Sequence, residues 1–391
     1  MPTRPSKQTK KSSGQNNILG AVIVACILGI GYLINNGIID LSRFGIDPAA
    51  LGAPTSPAAA TAGGAGNIQV FFTTPSLVYP DVAKNREPPP YEQAIIADID
   101  AAARSVDMAT YEYNLSSIAQ ALVRAKKRGV QVRLALDREN LDDPVMSKWA
   151  GAVQGAKIPV TWEDTTAFLH SKFIIIDGRV VWTGSWNATI NDTYRNNNNL
   201  LRITTPAVVA NYQAEFAQMA ESRFGTHKTA QTPNPLVRVG GERIENYFSP
   251  KDGVRQHVVS WIETATKSVD FLAFSYTSDD IGDAMIARQR AGVPVRGVFE
   301  KRNAQGIGSE FDRLVKAKAD VLVDGNCYTM HHKVIIIDGH IVITGSYNFT
   351  GRAEDVNDEN LLIIDDPAIA QLYMQEFERV FGQAQRPTSC G

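Results

Sequence analysis

With 391 residues, 44% hydrophobic and 20% charged, the chain has the length and composition of a globular protein with two cores of ordinary domain size, which excludes overall disorder. Its formal net charge is −2; residues 1–66 hold five basic and two acidic side chains, leaving 34 Lys and Arg against 39 Asp and Glu, a net charge of −5, in residues 67–391. A dedicated nucleic-acid binder carries a basic excess, so this balance speaks against one while leaving room for a local basic groove.

The first element in chain order is an address. Residues 1–17 form a basic tail with four positive charges and no acid, and residues 18–34 are an apolar run at the short end of what spans a bilayer, about 17–25 residues. Residues 35–66 follow as a linker rich in Ala, Gly and Pro. The positive-inside rule keeps the tail cytoplasmic and sends residues 67–391 across the membrane. The expectation is a single-pass membrane protein with an extracytoplasmic catalytic region, secreted if the segment is cleaved. The small residues Ala58, Ala59 and Ala60 lie too far past the apolar run for a signal peptidase site, which favours an uncleaved anchor. Ile23 to Cys26 loosely resembles a bacterial lipobox, but the apolar run continues well past Cys26. Cys26, Cys327 and Cys390 show no C-x-x-C spacing and so no zinc or iron–sulfur signature; outside the cytoplasm Cys327 and Cys390 are free to pair.

Residues 67–230 and 246–385 are two versions of one unit, separated by a connector at 231–245 and followed by a short tail at 386–391. Ser105-Val106-Asp107 matches Ser268-Val269-Asp270 at an offset of 163, and His170-Ser171-Lys172 matches His331-His332-Lys333 at an offset of 161. In the first unit the pattern predicts a helix over 94–104, a strand over 106–113, a helix over 117–128 and a strand over 130–136. A hairpin at 173–177 and 180–183, a strand at 200–204 and a helix at 207–224 complete it. The second unit repeats this with helices at 254–267, 280–291 and 368–381 and strands at 269–276, 293–299, 334–338, 341–344 and 361–364. Alternating strands and helices argue for an α/β fold in which each half is a mixed sheet flanked by helices.

The chemistry concentrates in one repeated pattern. His170-x-Lys172-x4-Asp177-x6-Gly184-Ser185-x-Asn187 recurs as His331-x-Lys333-x4-Asp338-x6-Gly345-Ser346-x-Asn348. Residues two apart on a strand share a face, so each His emerges beside its Lys. Each Asp opens an Asp-Gly turn, where a structural role competes with a chemical one. His332 points to the opposite face, and His227, His257 and His340 have no partner in the other copy, so none of the four is expected in the chemistry. Lys126-Lys127-Arg128 suits a solvated helix end. Tyr113, Tyr276, Trp186 and Tyr347 either line the substrate cleft or are core aromatics.

This doubled pattern resembles the HKD signature of the phospholipase D superfamily, and the resemblance covers nearly all of residues 67–385. It implies two duplicated α-β-α sandwich halves, related by a pseudo-two-fold, whose motifs meet so that a single chain forms the active site. It also implies phosphodiester chemistry through a phosphohistidine, with no metal or other cofactor. Lys172 and Lys333, with Ser185, Asn187, Ser346 and Asn348, are then expected to bind the substrate phosphate, where donors meet the charge that develops in the transition state. His170, Lys172, Asp177, His331, Lys333, Asp338 and Glu359 form the expected catalytic set. In related enzymes a Glu at the position of Glu359 bonds the motif His, and its counterpart in the first half is Asn198. On that basis Glu359 is expected to support His331 as general acid, and Asn198 to orient His170 as nucleophile.

Three activities fit. A membrane-tethered phospholipase D acting on phospholipid headgroups is favoured, because the anchor and short linker hold the site near lipid. A metal-independent endonuclease, with nucleic acid as substrate, and a cardiolipin synthase-like phosphatidyl transferase are the alternatives.

Overall fold

The computed structural model describes residues 60–62, 66–73, 79–142, 144–387 and 390. The expected anchor at 18–34 lies outside these; among the described residues no helix is long and apolar enough to cross a membrane.

The described residues form one compact unit holding two eight-stranded sheets. The first comprises β1 (Ala60–Ala62), β2 (Ile68–Phe72), β3 (Ser105–Thr110), β4 (Gln131–Asp137), β5 (Val160–Glu163), β6 (Phe173–Ile176), β7 (Val180–Gly184) and β8 (Asn199–Ile203). Its order is β1-β2-β8-β7-β6-β3-β4-β5, with β3, β4 and β5 parallel and the other pairs antiparallel. The parallel pairs need crossover helices, which are α2 (Ser116–Lys127) and α3 (Pro144–Gly155), packed beside α1 (Pro90–Ala101). The second sheet comprises β9 (Leu236–Val239), β10 (Glu242–Ser249), β11 (Val269–Ala273), β12 (Val295–Phe299), β13 (Asp320–Val323), β14 (Lys333–Ile337), β15 (Ile341–Gly345) and β16 (Glu359–Asp365). Its order, β13-β12-β11-β14-β15-β16-β10-β9, repeats the first from β2 to β5.

Each sheet buries both faces, which is why its central strands read as unbroken apolar runs. In β6, Phe173 and Ile175 enter a core shared by the two halves, while Ile174 and Ile176 enter the outer core under α1, α2 and α3. In β14, Val334 and Ile336 point to the same shared core and Ile335 and Ile337 to the other outer one. The two longest helices of the inner layer, Pro206–Ala220 and Pro367–Gln385, supply Tyr212, Phe216, Tyr373 and Phe377 to the shared core. Polar ties cross it as well. The Asn199 amide nitrogen donates to Thr344 Oγ1 at 2.8 Å, and the Asn360 amide nitrogen to Thr183 Oγ1 at 2.9 Å.

The segment 231–245, read from sequence as a connector, contains β9 and the start of β10. Gly240 and Gly241, with φ of 61° and 100°, turn these strands into a hairpin. Two consecutive positive φ values are what a two-residue hairpin turn of this twist requires. Cys327 and Cys390 are joined, with Cα atoms 5.4 Å apart, so the tail is tied to the loop that leads into His331.

Replacing Cys327 and Cys390 by Ser is expected to lower stability by up to about 4 kcal/mol, the chain-entropy value for a closed loop of this size. Urea unfolding of the double variant checks this, and a midpoint equal to that of the oxidised wild type would contradict it.

Candidate active site

The two motif segments are held by crossed backbone pairing. Leu169 bridges Asp358 in parallel, with His170 N donating to the Asp358 carbonyl at 2.9 Å and Asp358 N to the Phe168 carbonyl at 2.9 Å. Likewise Asn197 bridges Met330: His331 N donates to the Asn197 carbonyl at 2.9 Å, and Asn197 N to the Thr329 carbonyl at 2.9 Å. Each histidine therefore sits against the entry to the last sheet strand of the opposite half.

The side chains follow the backbone. His170 Nδ1 lies 2.7 Å from Glu359 Oε2, and His331 Nδ1 lies 2.8 Å from Asn198 Oδ1. The expected pairing within each half is thus corrected: Glu359 serves His170 and Asn198 serves His331. The reason is the crossing, since the bridge at Asp358 presents the next residue to the other half's histidine. With oxygen acceptors at Nδ1, the proton of each neutral ring sits there, and Nε2 keeps a free lone pair.

Ser185 and Ser346, expected at the phosphate, instead hold the orienting groups. Ser346 Oγ donates to Glu359 Oε2 at 2.6 Å and accepts from Asn360 N at 2.9 Å. Ser185 Oγ donates to Asn198 Oδ1 at 2.9 Å and accepts from Asn199 N at 3.1 Å. The preceding glycines make this close approach feasible: a Cβ on Gly184 or Gly345 would lie 2.2 Å from the carbonyl oxygen of Asn199 or Asn360, and their φ values are 144° and 150°.

Lys172 and Lys333 are buried, with Nζ donating to the carbonyls of His170 and His331 at 2.5 and 2.8 Å. Lys172 lies over the Tyr111 ring and Lys333 over the Phe274 ring, and these rings also flank His170 and His331 at centroid distances of 5.4 and 4.7 Å. The repeat offset of 163 makes Tyr111 and Phe274 equivalent; that match was the available signal, although the reading fell on Tyr113 and Tyr276. Those two, with Trp186 and Tyr347, belong to the outer cores. Asn187 is buried against Asp192, and Asn348 leaves its Oδ1 without a partner.

Burial dominates the electrostatics. It lowers His170 to about 4 despite the raising effect of Glu359, with Lys172 and Lys333 adding to the fall. Burial, then Lys333, Lys172 and His170, hold His331 well below the usual imidazole range. Lys172 is lowered to about 8 by burial, partly offset by Glu359 and Asp192, and Lys333 is lowered well below its ordinary value by burial and by Lys172. Four buried cationic or potentially cationic groups thus repel one another, and a bound anion would relieve all of them.

Asp177 and Asp338, included in the expected catalytic set, belong to the scaffold. Asp177 stands five residues beyond Lys172, roughly 16 Å along the strand. Its carboxylate accepts from the backbone N–H groups of Ala103, Arg104 and Ser105 at 3.0, 2.7 and 2.9 Å. Asp338 does the same for Thr266, Lys267 and Ser268. Partial burial opposes the charge of each carboxylate, but these N–H groups outweigh it and hold both below the ordinary range.

Sequence reasoning also missed a buried anchor. Lys228 pairs with Asp358 at 2.7 Å and with Glu215, while Gly225 N donates to Asp358, so the residue whose carbonyl holds His170 is itself clamped. His332 faces away, bonded to Glu376 at 2.9 Å. Among the described residues no group of three or more His, Cys, Asp or Glu is set to hold a metal ion.

The family model described as "Cardiolipin synthase, PLD-like domain" matches residues 95–220 and again 258–381, once in each half. The chain belongs to the phospholipase D superfamily. This phospholipase D-like chain is 32% identical over 197 residues to the mitochondrial cardiolipin hydrolase of Chlamydomonas reinhardtii, covering 44% of this chain and 88% of that one. It is 37% identical over 142 residues to the phospholipase D of Rickettsia prowazekii, covering 36% and 69%. Among solved structures, phosphatidylserine synthase of Haemophilus influenzae is similar in fold, with a TM-score of 0.58 and 14% identity, covering 85% of this chain and 89% of that one.

Asp177→Asn and Asp338→Asn are expected to cost on the order of 1 kcal/mol each, while kcat stays close to the wild-type value. Because both carboxyls are held below their unfolded range near about 3.9, their stabilisation is present above that pH and fades as pH falls through the lower folded values. Thermal melts from pH 3 to 7 check this: the variant and wild-type curves should converge at the acid end. A large loss of kcat in a fully folded variant would return these residues to the chemistry.

Proposed function

We propose that this chain is a membrane-anchored phosphodiesterase of the phospholipase D type, which hydrolyses the headgroup phosphodiester of a phospholipid through a phosphohistidine on His170. The observation that carries this reading is the pair of buried imidazoles whose Nδ1 atoms are fixed differently, on a carboxylate at His170 and on an amide at His331.

The chemistry follows from that difference. His170 is neutral at pH 7, since burial outweighs Glu359, so its Nε2 lone pair is available to attack phosphorus. As the N–P bond forms, the ring becomes cationic, and Glu359 at 2.7 Å compensates that charge. The bond to the leaving alcohol breaks as His331 Nε2–H protonates its oxygen. His331 acquires that proton when the anionic substrate enters and offsets the repulsion from Lys172 and Lys333. In the second half of the reaction, neutral His331 takes a proton from water, the hydroxide attacks phosphorus, and the N–P bond breaks to free His170. Lys172 and Lys333 neutralise the equatorial oxygens throughout. Glu359 therefore acts on the nucleophile, not on the acid.

Lipid is favoured as substrate by the similarity to a phospholipase D and a cardiolipin hydrolase, and by the apolar run at 18–34. A cleft beside the His170 loop, lined by Asp137, Glu139, Asp142, Glu163 and Asp164 with Arg138, would repel a nucleic-acid backbone. The Cys327–Cys390 disulfide fits an oxidising, extracytoplasmic location.

The test is a parallel assay of the full chain on labelled phosphatidylcholine and cardiolipin vesicles and on single- and double-stranded DNA and RNA, with EDTA present. Headgroup release from lipid in EDTA is expected; cleavage of nucleic acid with lipid untouched would make the protein an endonuclease. His331→Ala should accumulate a phosphoenzyme from a p-nitrophenyl phosphodiester, whose leaving group departs unprotonated, and His170→Ala should form none. Mass spectrometry after an alkaline denaturing quench reads the adduct, and finding it on His331 would reverse the roles.

A further inference from the structure

Asn198 occupies the position equivalent to Glu359, yet the first half has a buried acid of its own. Six residues earlier, on the short helix Ile190–Tyr194, stands Asp192, whose repeat equivalent is Ala353. The first half thus carries a single acid, Asp192, between its GSxN turn and its last sheet strand, whereas the second carries Glu354, Asp355 and Asp358 there and Glu359 at the strand's start, of which Glu359 is the one placed on a histidine.

Asp192 is 3% exposed. Its Oδ2 accepts from Asn187 N at 2.7 Å and from the Asn187 amide at 2.9 Å, and its Oδ1 accepts from the Asn196 amide at 2.7 Å. The same Oδ2 lies 3.7 Å from His331 Nδ1, which the Asn198 oxygen approaches to 2.8 Å. Holding the GSxN asparagine does not by itself demand an acid here. In the second half the equivalent residue is the buried Ala353, whose side chain offers no acceptor to Asn348. What the second half has, and the first lacks, is a carboxylate placed directly on a histidine. The other groups that act on His331 are Lys333, Lys172, His170 and His332, all cationic or able to become so, with the Phe274 ring at its side. Glu359 is committed to His170, and Glu376 to His332 on the far face. Asp192 is the carboxylate left for His331.

We propose that Asp192 is the charge partner of His331, a positioning residue that acts across 3.7 Å beside the Asn198 oxygen and stands in for the carboxylate that Asn198 lacks. The inference deepens the proposed function and rests on it for the direction of the effect. With His331 as general acid, losing the Asp192 charge disfavours its protonated form, so the alkaline limb of the pH–rate profile moves to lower pH.

The experiment compares the full-length wild type with Asp192→Asn and with the double variant Asp192→Ala/Asn198→Glu, which rebuilds in the first half the arrangement native to the second. For Asp192→Asn the alkaline limb of kcat should move down by about one pH unit. Its turnover of a substrate with an alkyl leaving group should fall roughly tenfold further than that of a p-nitrophenyl substrate. The double variant, with a carboxylate directly on His331, should bring the limb back to or above the wild-type position. Equal losses on both substrates with both limbs unmoved would reduce Asp192 to a support for Asn187 and overturn the proposal. If Asp192→Asn does not fold, the double variant decides: a limb below the wild type's overturns the pairing. A shift of the acid limb instead, with the p-nitrophenyl substrate equally impaired, would keep Asp192 with His331 but make His331 the nucleophile, so that the proposed roles fail and the pairing stands.

Discussion

The site depends on two short backbone bridges, Leu169 with Asp358 and Asn197 with Met330. Through them each half completes the other: the histidine comes from one motif, and the group on its Nδ1 comes from the strand entry of the opposite unit. The shared core of Tyr212, Phe216, Tyr373 and Phe377 supplies the apolar burial that keeps the two sheets in register for this exchange. The Asn199 and Asn360 ties fix it laterally. The buried Lys228, Glu215 and Asp358 cluster then clamps one of the two bridges directly. A buried ionic cluster is weak evidence of stability in itself, and here a positional role explains it better.

The electrostatics follow from the same geometry. Bringing two buried His-Lys pairs together creates mutual repulsion, which burial alone would resolve by discharging them. The site offsets this with Glu359 and Asp192 and leaves the remaining imbalance for an anion. It is therefore organised for a charged ligand before one arrives, with the rings of Tyr111 and Phe274 flanking the two histidines.

Much of this was legible in the chain. The duplication, the paired motifs and the central strands could be read because Phe173–Ile176 and Val334–Ile337 are buried on both faces and so carry an unmistakable apolar run. The competing structural reading of Asp177 and Asp338 was legible too, since an Asp-Gly turn demands a local partner. The crossing was not. His170 and Glu359 lie 189 residues apart, and a repeat offset aligns equivalent positions without saying which half each will face. Proximity within a motif suggested the wrong partner for each histidine, and Ser185 and Ser346 went to the phosphate for the same reason. The strands β9 and β10 escaped because their alternation is short and partly polar, although Gly240-Gly241 marked the turn. Helix α3 and strand β5, with only partial burial, gave weak periodicity.

The difference between Asn198 and Glu359 has a consequence for how such a chain can change over time. Two identical units meeting face to face would present identical histidines, and which one reacts first would be settled afresh at each encounter. Joining the units in one polypeptide lets a substitution touch one copy only, so the symmetry can be broken and a division of labour inherited. Because the polar partner of each histidine is encoded in the opposite copy, that division constrains both copies together: neither can drift without altering the chemistry of the other.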